Sequence, residues 1–312
     1  MRTALAYSPR SGRLQAAAAP AAIAYLGSFV VFAFAFSNPI VLVAAGCGVA
    51  VAGVAAGARA ALTASLRWGL TLAVLIVAVN GLVTHRGETV LVRGYELPVL
   101  GALNVTLESL AAGGVIALRI LVVLMAFAVY SACVDPDRVL RLLRPVAGRS
   151  ALTATLIARL VPVAAADHAR LAEAAALRGP AAAPVGRAAL ARRLVAGSLD
   201  RAIDVAATLE LRGYGGAGSR TSVGPLRRSR HDARFAWAGL GIAGGAIAAR
   251  LAGVGGFEAY PSLAVDTAWP TLAIAVVVPA LAWLPFARPR SARRTSERSR
   301  STRRAGEVAA RA

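Results

Sequence analysis

Lysine is absent from this 312-residue chain, so all 35 of its basic residues are arginine. A phosphate-binding P-loop needs the lysine of G-x-x-x-x-G-K-[ST], and no such loop exists here; any ATP a process consumes is hydrolysed by another chain. Two cysteines, Cys47 and Cys133, lie in or at the end of apolar segments without C-x-x-C spacing, so neither a disulfide framework nor a zinc site is indicated. His85, His168 and His231 are scattered and no H-E-x-x-H occurs, so converging metal ligands are lacking. Acidic residues number 15, and those available fall in loops or polar helices, which weighs against a membrane-embedded enzyme and predicts no catalytic residues.

What remains is overwhelmingly apolar. Hydrophobic residues make up 57% of the chain and charged residues 16%, a balance that soluble domains of this size rarely show. The apolar residues gather into runs of about twenty, the length a helix needs to cross about 30 Å of hydrocarbon. Six spans are expected, at 16–36, 39–58, 66–83, 111–133, 235–254 and 269–286. The fold class is therefore all-α and polytopic. Arg2, Arg10 and Arg13 precede the first run in the manner of a signal peptide, but a second run follows almost at once, so an uncleaved first span is expected.

Arginine distribution orients the spans. Seventeen arginines lie between Val134 and Arg234 and nine between Arg288 and the end, whereas 255–268 has none. Cytoplasmic loops collect arginine, so both termini and the 134–234 segment are expected in the cytoplasm. The 84–110 loop contains short β-like pieces around Gly94, readable as a re-entrant or a hairpin excursion. The basic tail, 288–312, is expected to be disordered and to anchor on anionic lipid rather than on nucleic acid. Arg250, near one end of its span, is expected to snorkel; Arg119 either snorkels or meets a polar partner inside the membrane assembly.

The 134–234 segment keeps helical periodicity while losing membrane character. Asp135 and Pro136 begin a short helix with an apolar stripe of Val139, Leu140, Leu142 and Leu143, and Pro145 and Gly148 should end it. Ser150 can cap a long amphipathic helix, which Pro162 should kink or divide, ending at Leu177-Arg178-Gly179-Pro180. A second long helix from about Val185 places Val195, Leu199, Ile203 and Ala206 on one face and ends at Leu211-Arg212-Gly213-Tyr214. The two Leu-Arg-Gly endings stand 34 residues apart. One such ending is an ordinary glycine C-cap with a dipole-complementing arginine. Two on neighbouring long helices suggest guanidinium-bearing tips that pair with carboxylates of a partner.

These residues carry a resemblance. Asn80-Gly81-Leu82, the Asp135-Pro136-Asp137 start with Leu142-Leu143-Arg144-Pro145, Arg159-Leu160-Val161-Pro162, and the endings at Arg178-Gly179 and Arg212-Gly213-Tyr214-Gly215 together make 10–220 similar to the transmembrane T component of energy-coupling factor (ECF) transporters, the EcfT/CbiQ family. Leu177 and Leu211 stand where the family's signature has alanine.

The resemblance implies a non-catalytic scaffold in a bacterial plasma membrane. Its ATPase-coupling residues would be Arg178, Gly179, Arg212 and Gly213, supported by Pro162, Leu177, Leu211 and Tyr214. Its partners would be two ATP-binding cassette ATPase subunits, which hold ATP and Mg, and an S component that captures a vitamin or transition-metal ion; the chain itself would bind no cofactor. Competing readings are a conventional permease, which couples through one short helix, and a secondary transporter, which exposes polar or broken helices at midmembrane.

Overall fold

The computed structural model describes residues 7, 12–84, 89–92, 96–97, 101–102, 105–178, 185–214, 229, 231–260 and 263–287. The expected tail at 288–312 lies outside the described residues. The chain forms two compact units, one of Met1–Asp135 with Arg228–Ala312 and the other of Pro136–Arg227.

The first unit is built from α1 (Arg13–Ala16), α2 (Ala19–Ala35), α3 (Pro39–Ala55), α4 (Arg59–Val83) and α5 (Leu107–Cys133), joined much later in sequence by two further apolar helices. The first expected span is broken at Ala17 and Ala18, whose extended backbone separates α1 from α2, and Pro20 sits in the opening turn of α2. Asn38 then performs two tasks at the next corner. Its Oδ1 accepts from the Ile40 N–H at 3.0 Å, capping α3 ahead of Pro39. Its Nδ2 donates to the Asp266 carbonyl at 2.8 Å, holding a loop more than two hundred residues away.

Between α4 and α5 the strands β1 (Val90–Val92), β2 (Glu96–Leu97), β3 (Gly101–Ala102) and β4 (Val105–Thr106) pair antiparallel, β1 with β4 and β2 with β3. The excursion there is a hairpin. Thr106 caps α5 by accepting from the Ser109 N–H, and Glu108 lies in the positive first turn.

The second unit contains α6 (Pro136–Ala176) and α7 (Arg187–Leu211). Helical residues pass through Pro145, Gly148 and Pro162 without a gap, where a break was expected at the first two. Yet the Arg159 Nε lies 3.6 Å from Asp137 Oδ2. Twenty-two residues of straight helix would hold those side chains about 33 Å apart. The axis of α6 therefore turns back between them.

The first unit closes with α8 (Asp232–Leu251), a short hairpin of β5 (Phe257–Glu258) and β6 (Ala264–Val265), and α9 (Trp269–Trp283), which tightens into a 3-10 turn at Leu284–Phe286. Helices α4, α5 and the Trp269–Phe286 run are long and apolar enough to cross a membrane; α2 and α3, at 17 residues each, meet the lower limit. Helix α8 has the length but is rich in glycine and has Arg234 and Arg250 near its ends. The unit is that of an all-α polytopic membrane protein. In it α4 packs on α5, α5 also on α2 and α3, α2 on α8, and α3 on α9. At the α2–α8 contact Tyr25 is fully buried, edge-on to Phe29, Phe235 and Phe286, and its hydroxyl donates to the Ala282 carbonyl at 2.7 Å.

The α8–α9 loop is tied down by one carboxylate. Asp266 accepts from the Ala268 N–H at 2.9 Å, the Thr271 hydroxyl at 2.7 Å and the Gly255 N–H at 3.0 Å. These bonds, the Ala268 N–H first among them, hold its carboxyl below the usual carboxylate range. Because the folded pKa is depressed, the stabilisation is present at neutral pH and is lost as pH falls through that lowered value.

Candidate functional site

The two expected tips differ in how much of each is described. At the end of α7, Arg212 is the C-cap and Gly213 adopts φ +70°, a conformation that glycine tolerates without a Cβ penalty. The Tyr214 N–H donates to the Leu209 carbonyl at 2.9 Å and the Gly213 N–H to that of Glu210 at 2.8 Å, the paired bonds of a Schellman cap. Leu209 and Tyr214, the positions that make the hydrophobic contact of that motif, are both half-buried. Gly57 and Gly253 end α3 and α8 with the same bonding, so this ending serves helices of the first unit too. The cap alone thus has no functional meaning. What sets Arg212 apart is its exposed position beside Leu211, which is 89% exposed.

At the end of α6 the Leu177 N–H donates to the Glu173 carbonyl and the Arg178 N–H to that of Ala175, so the chain is still turning when it reaches Arg178. Leu177 is 81% exposed. Gly179 lies outside the described residues. Among the described residues neither Arg178 nor Arg212 pairs with a carboxylate, in contrast to Arg159, Arg170 and Arg201, which do.

Sequence reasoning passed over the pair that relates the two tips. Arg201 Nη2 of α7 lies 2.7 Å from Asp167 Oδ2 of α6, and Arg170 Nη1 lies 3.6 Å from the other carboxylate oxygen. Helix α7 has no buried residue along its 25, so α6 and α7 meet at a local crossing instead of packing lengthwise. From that crossing each arginine lies eleven residues further on, 167 to 178 and 201 to 212. At 1.5 Å per residue the two arms extend about 16 Å each. The signal was present in the chain, because 167 and 201 have the same 34-residue spacing as the tips. Two other motifs also prove to be partners: Asp137 of the Asp135-Pro136-Asp137 start pairs with Arg159 of the Arg159-Leu160-Val161-Pro162 run. Pro162 itself stays within helix. Ile157 and Val161 of α6 and Val195, Leu199 and Ile203 of α7 leave exposed apolar rows; the 4-residue spacing on α7 had indicated a face but no partner.

In the membrane unit, Arg119 of α5 makes its contacts with the C-terminus of α2. Its Nε donates to the Ala33 carbonyl at 3.0 Å, and its Nη2 to the Phe36 carbonyl at 3.1 Å and the Ser37 hydroxyl at 3.0 Å. The guanidinium also stands 5.9 Å from the centre of the Phe34 ring. A cation at the negative end of a helix satisfies carbonyls that have no intrahelical donor. Arg119→Gln is expected to lower stability by about 2 kcal/mol, the usual worth of hydrogen bonds to a charged group. Arg119→Lys should recover only part, because an ammonium lacks the planar fork. Thermal unfolding of the three purified proteins in one detergent measures both; equal melting of Arg119→Gln and wild type would refute the assignment.

Among the described residues no three His, Cys, Asp or Glu side chains converge as a metal site. The family model for CbiQ, described as cobalt transport protein, matches residues 14–223, which takes in α2 to α7 and both arginine tips. No curated protein matches the chain. A match over two-thirds of the length, falling on the membrane helices and the α6–α7 unit together, places this chain in the CbiQ family of cobalt transport proteins.

Proposed function

We propose that this chain is the transmembrane scaffold, or T, subunit of an ECF-type ABC importer. It couples ATP hydrolysis by two separate ATP-binding cassette subunits, which hold the ATP and Mg, to uptake of a transition-metal ion or vitamin captured by an S component. Arg178 and Arg212 dock on the two ATPase subunits, each through bidentate pairing with a carboxylate. Leu177 and Leu211 add apolar surface beside each guanidinium. The exposed rows on α6 and α7 are covered by the membrane and by the partner subunits. Both termini lie on the cytoplasmic face of the bacterial plasma membrane, as the arginine asymmetry favours.

The single observation that carries this reading is the equal reach of the two arginines from the Asp167–Arg201 crossing. Two equivalent tips suit two equivalent ATPase subunits; a permease with one short coupling helix has no use for a second. Co-expression with a pair of ATP-binding cassette subunits is expected to yield a stable complex. ATP-dependent uptake into vesicles should require that complex together with an S component. Accumulation of substrate by this chain alone, in vesicles free of ATPases, would show instead a transporter that binds its own substrate.

A further inference from the structure

Helices α8 and α9 belong to the same unit but pack chiefly on different neighbours, α8 on α2 and α9 on α3. Where the start of α8 faces the end of α9, a groove of about 450 Å³ remains, lined by Ala233, Arg234, Trp237, Ala238, Leu281, Leu284, Pro285 and Ala287. That volume is within the range of a small-molecule site, and six of the eight linings are aliphatic or proline. Arg234 is exposed on its rim and Trp237 is 73% exposed beside it. A second guanidinium lies at the same end, where Arg13 donates to the Phe286 carbonyl.

The position is that of a membrane interface. Helix α8 opens here and the membrane-crossing Trp269–Phe286 run closes here. The flanking sequence is strongly cationic: Arg227, Arg228 and Arg230 precede the groove, and Arg288 and Arg290 follow it. Tryptophan is favoured at the level of lipid headgroups, and arginine at a membrane surface attracts anionic lipid.

We infer that this groove is a binding site for one anionic phospholipid, whose phosphate pairs with Arg234 and whose acyl chain lies along Ala238, Leu281 and Leu284. The occupant is a lipid and not a peptide because the groove is mostly apolar and its one lining cation, Arg234, stands at the end where α8 begins. A zwitterionic lipid offers the same chain but has no net charge to meet Arg234. The site therefore distinguishes headgroups, while its walls accept any chain.

The test uses the full-length chain in nanodiscs of phosphatidylcholine containing one-tenth phosphatidylglycerol, extracted gently and weighed by native mass spectrometry. Wild type is expected to retain phosphatidylglycerol well above its share of the bilayer. Arg234→Gln should lower that enrichment about fivefold, the contribution of one arginine near an anionic surface. Trp237→Ala should reduce retention of both lipids. Arg250→Gln, at the far end of α8, should change nothing. Both Arg234 and Trp237 are exposed, so their replacement leaves the fold intact, which circular dichroism checks. Retention of the two lipids in proportion to the bilayer, or unchanged enrichment in Arg234→Gln, would overturn the assignment, as would a co-purifying protein occupying the groove.

Discussion

Charge reversal at both tips, Arg178→Glu with Arg212→Glu, is expected to reduce uptake by the assembled transporter to background while the chain still inserts in the membrane. Both side chains are exposed and free of carboxylate partners among the described residues, so little of the chain's own structure depends on them. The internal cost is a negative charge near a helix C-terminus, about 0.3–1 kcal/mol at each site. The cost at a docking surface is larger. Breaking a buried, hydrogen-bonded charge pair across an interface weakens binding by about 2–5 kcal/mol, and a glutamate facing a carboxylate adds repulsion. On the proposed docking, two such losses would separate the ATPase subunits from the scaffold at any ordinary concentration. Each single reversal should leave one attachment and a measurable remnant of uptake.

Arg192→Glu with Arg193→Glu changes the charge of exposed positions on α7 by the same amount and should leave uptake near wild type. Transport assays in vesicles, with co-purification of the ATPase subunits from the same membranes, read both outcomes. Full uptake in the double tip variant, or equal loss in the control, would refute the docking assignment. The Asp167–Arg201 pair acts differently. It is partly exposed, and removing it should cost only about 1 kcal/mol of local stability. On the proposed docking its effect on uptake would arise through the relative placement of the arms, so the exchanged pair Asp167→Arg with Arg201→Asp should restore part of what either single change loses, the exchange also taking the carboxylate from Arg170.

The second large effect is expected in the membrane unit, where Gly239→Leu should abolish the folded state. A Cβ at Gly239 would meet the Ala24 carbonyl oxygen at 2.8 Å and its carbon and the Tyr25 Cα at 2.9 Å. All three atoms are backbone, so no side chain can swing away; α2 and α8 must separate. Small residues at such crossings let membrane helices approach closely, and packing is the main attraction left once the solvent is lipid. Separation also pulls Phe235 from Tyr25 and strains the Tyr25 bond to the Ala282 carbonyl. Overpacking costs about 1–3 kcal/mol where side chains can adjust, and a backbone clash belongs at or beyond the top of that range. Gly241 and Gly244 have open space around the same hypothetical atom. Gly241→Leu should therefore give protein of normal yield and melting temperature, and Gly239→Leu mostly aggregate on size-exclusion chromatography. Indistinguishable profiles would show that the helices do not cross as closely as described.

The apolar runs are legible because a bilayer imposes one length on every helix that crosses it, and arginine asymmetry is legible because it is a count along the chain. The glycine caps are equally local, since the positive φ at Gly213 and the bonds from Gly213 and Tyr214 involve residues within one turn. The 34-residue spacing of the two Leu-Arg-Gly endings is read directly along the chain. Helix edges moved where a distant group intervened: α2 begins at Ala19 with the Ala18 N–H donating to Asp232 Oδ1 at 2.6 Å, a partner more than two hundred residues along.

Sequence alone therefore determined that this is an all-α polytopic membrane chain with two arginine-ended helices between its membrane segments. Only the tertiary structure decided that Arg119 caps α2, that α6 folds back so that Asp137 meets Arg159, and that Asp167 and Arg201 set the tips at equal reach. The reason is physical. Periodicity identifies the face a helix buries but not the helix it meets, and a charge has no preferred partner until packing brings one within about 4 Å. The arginines that orient the chain were visible by number; the few that hold it together became distinct only by contact.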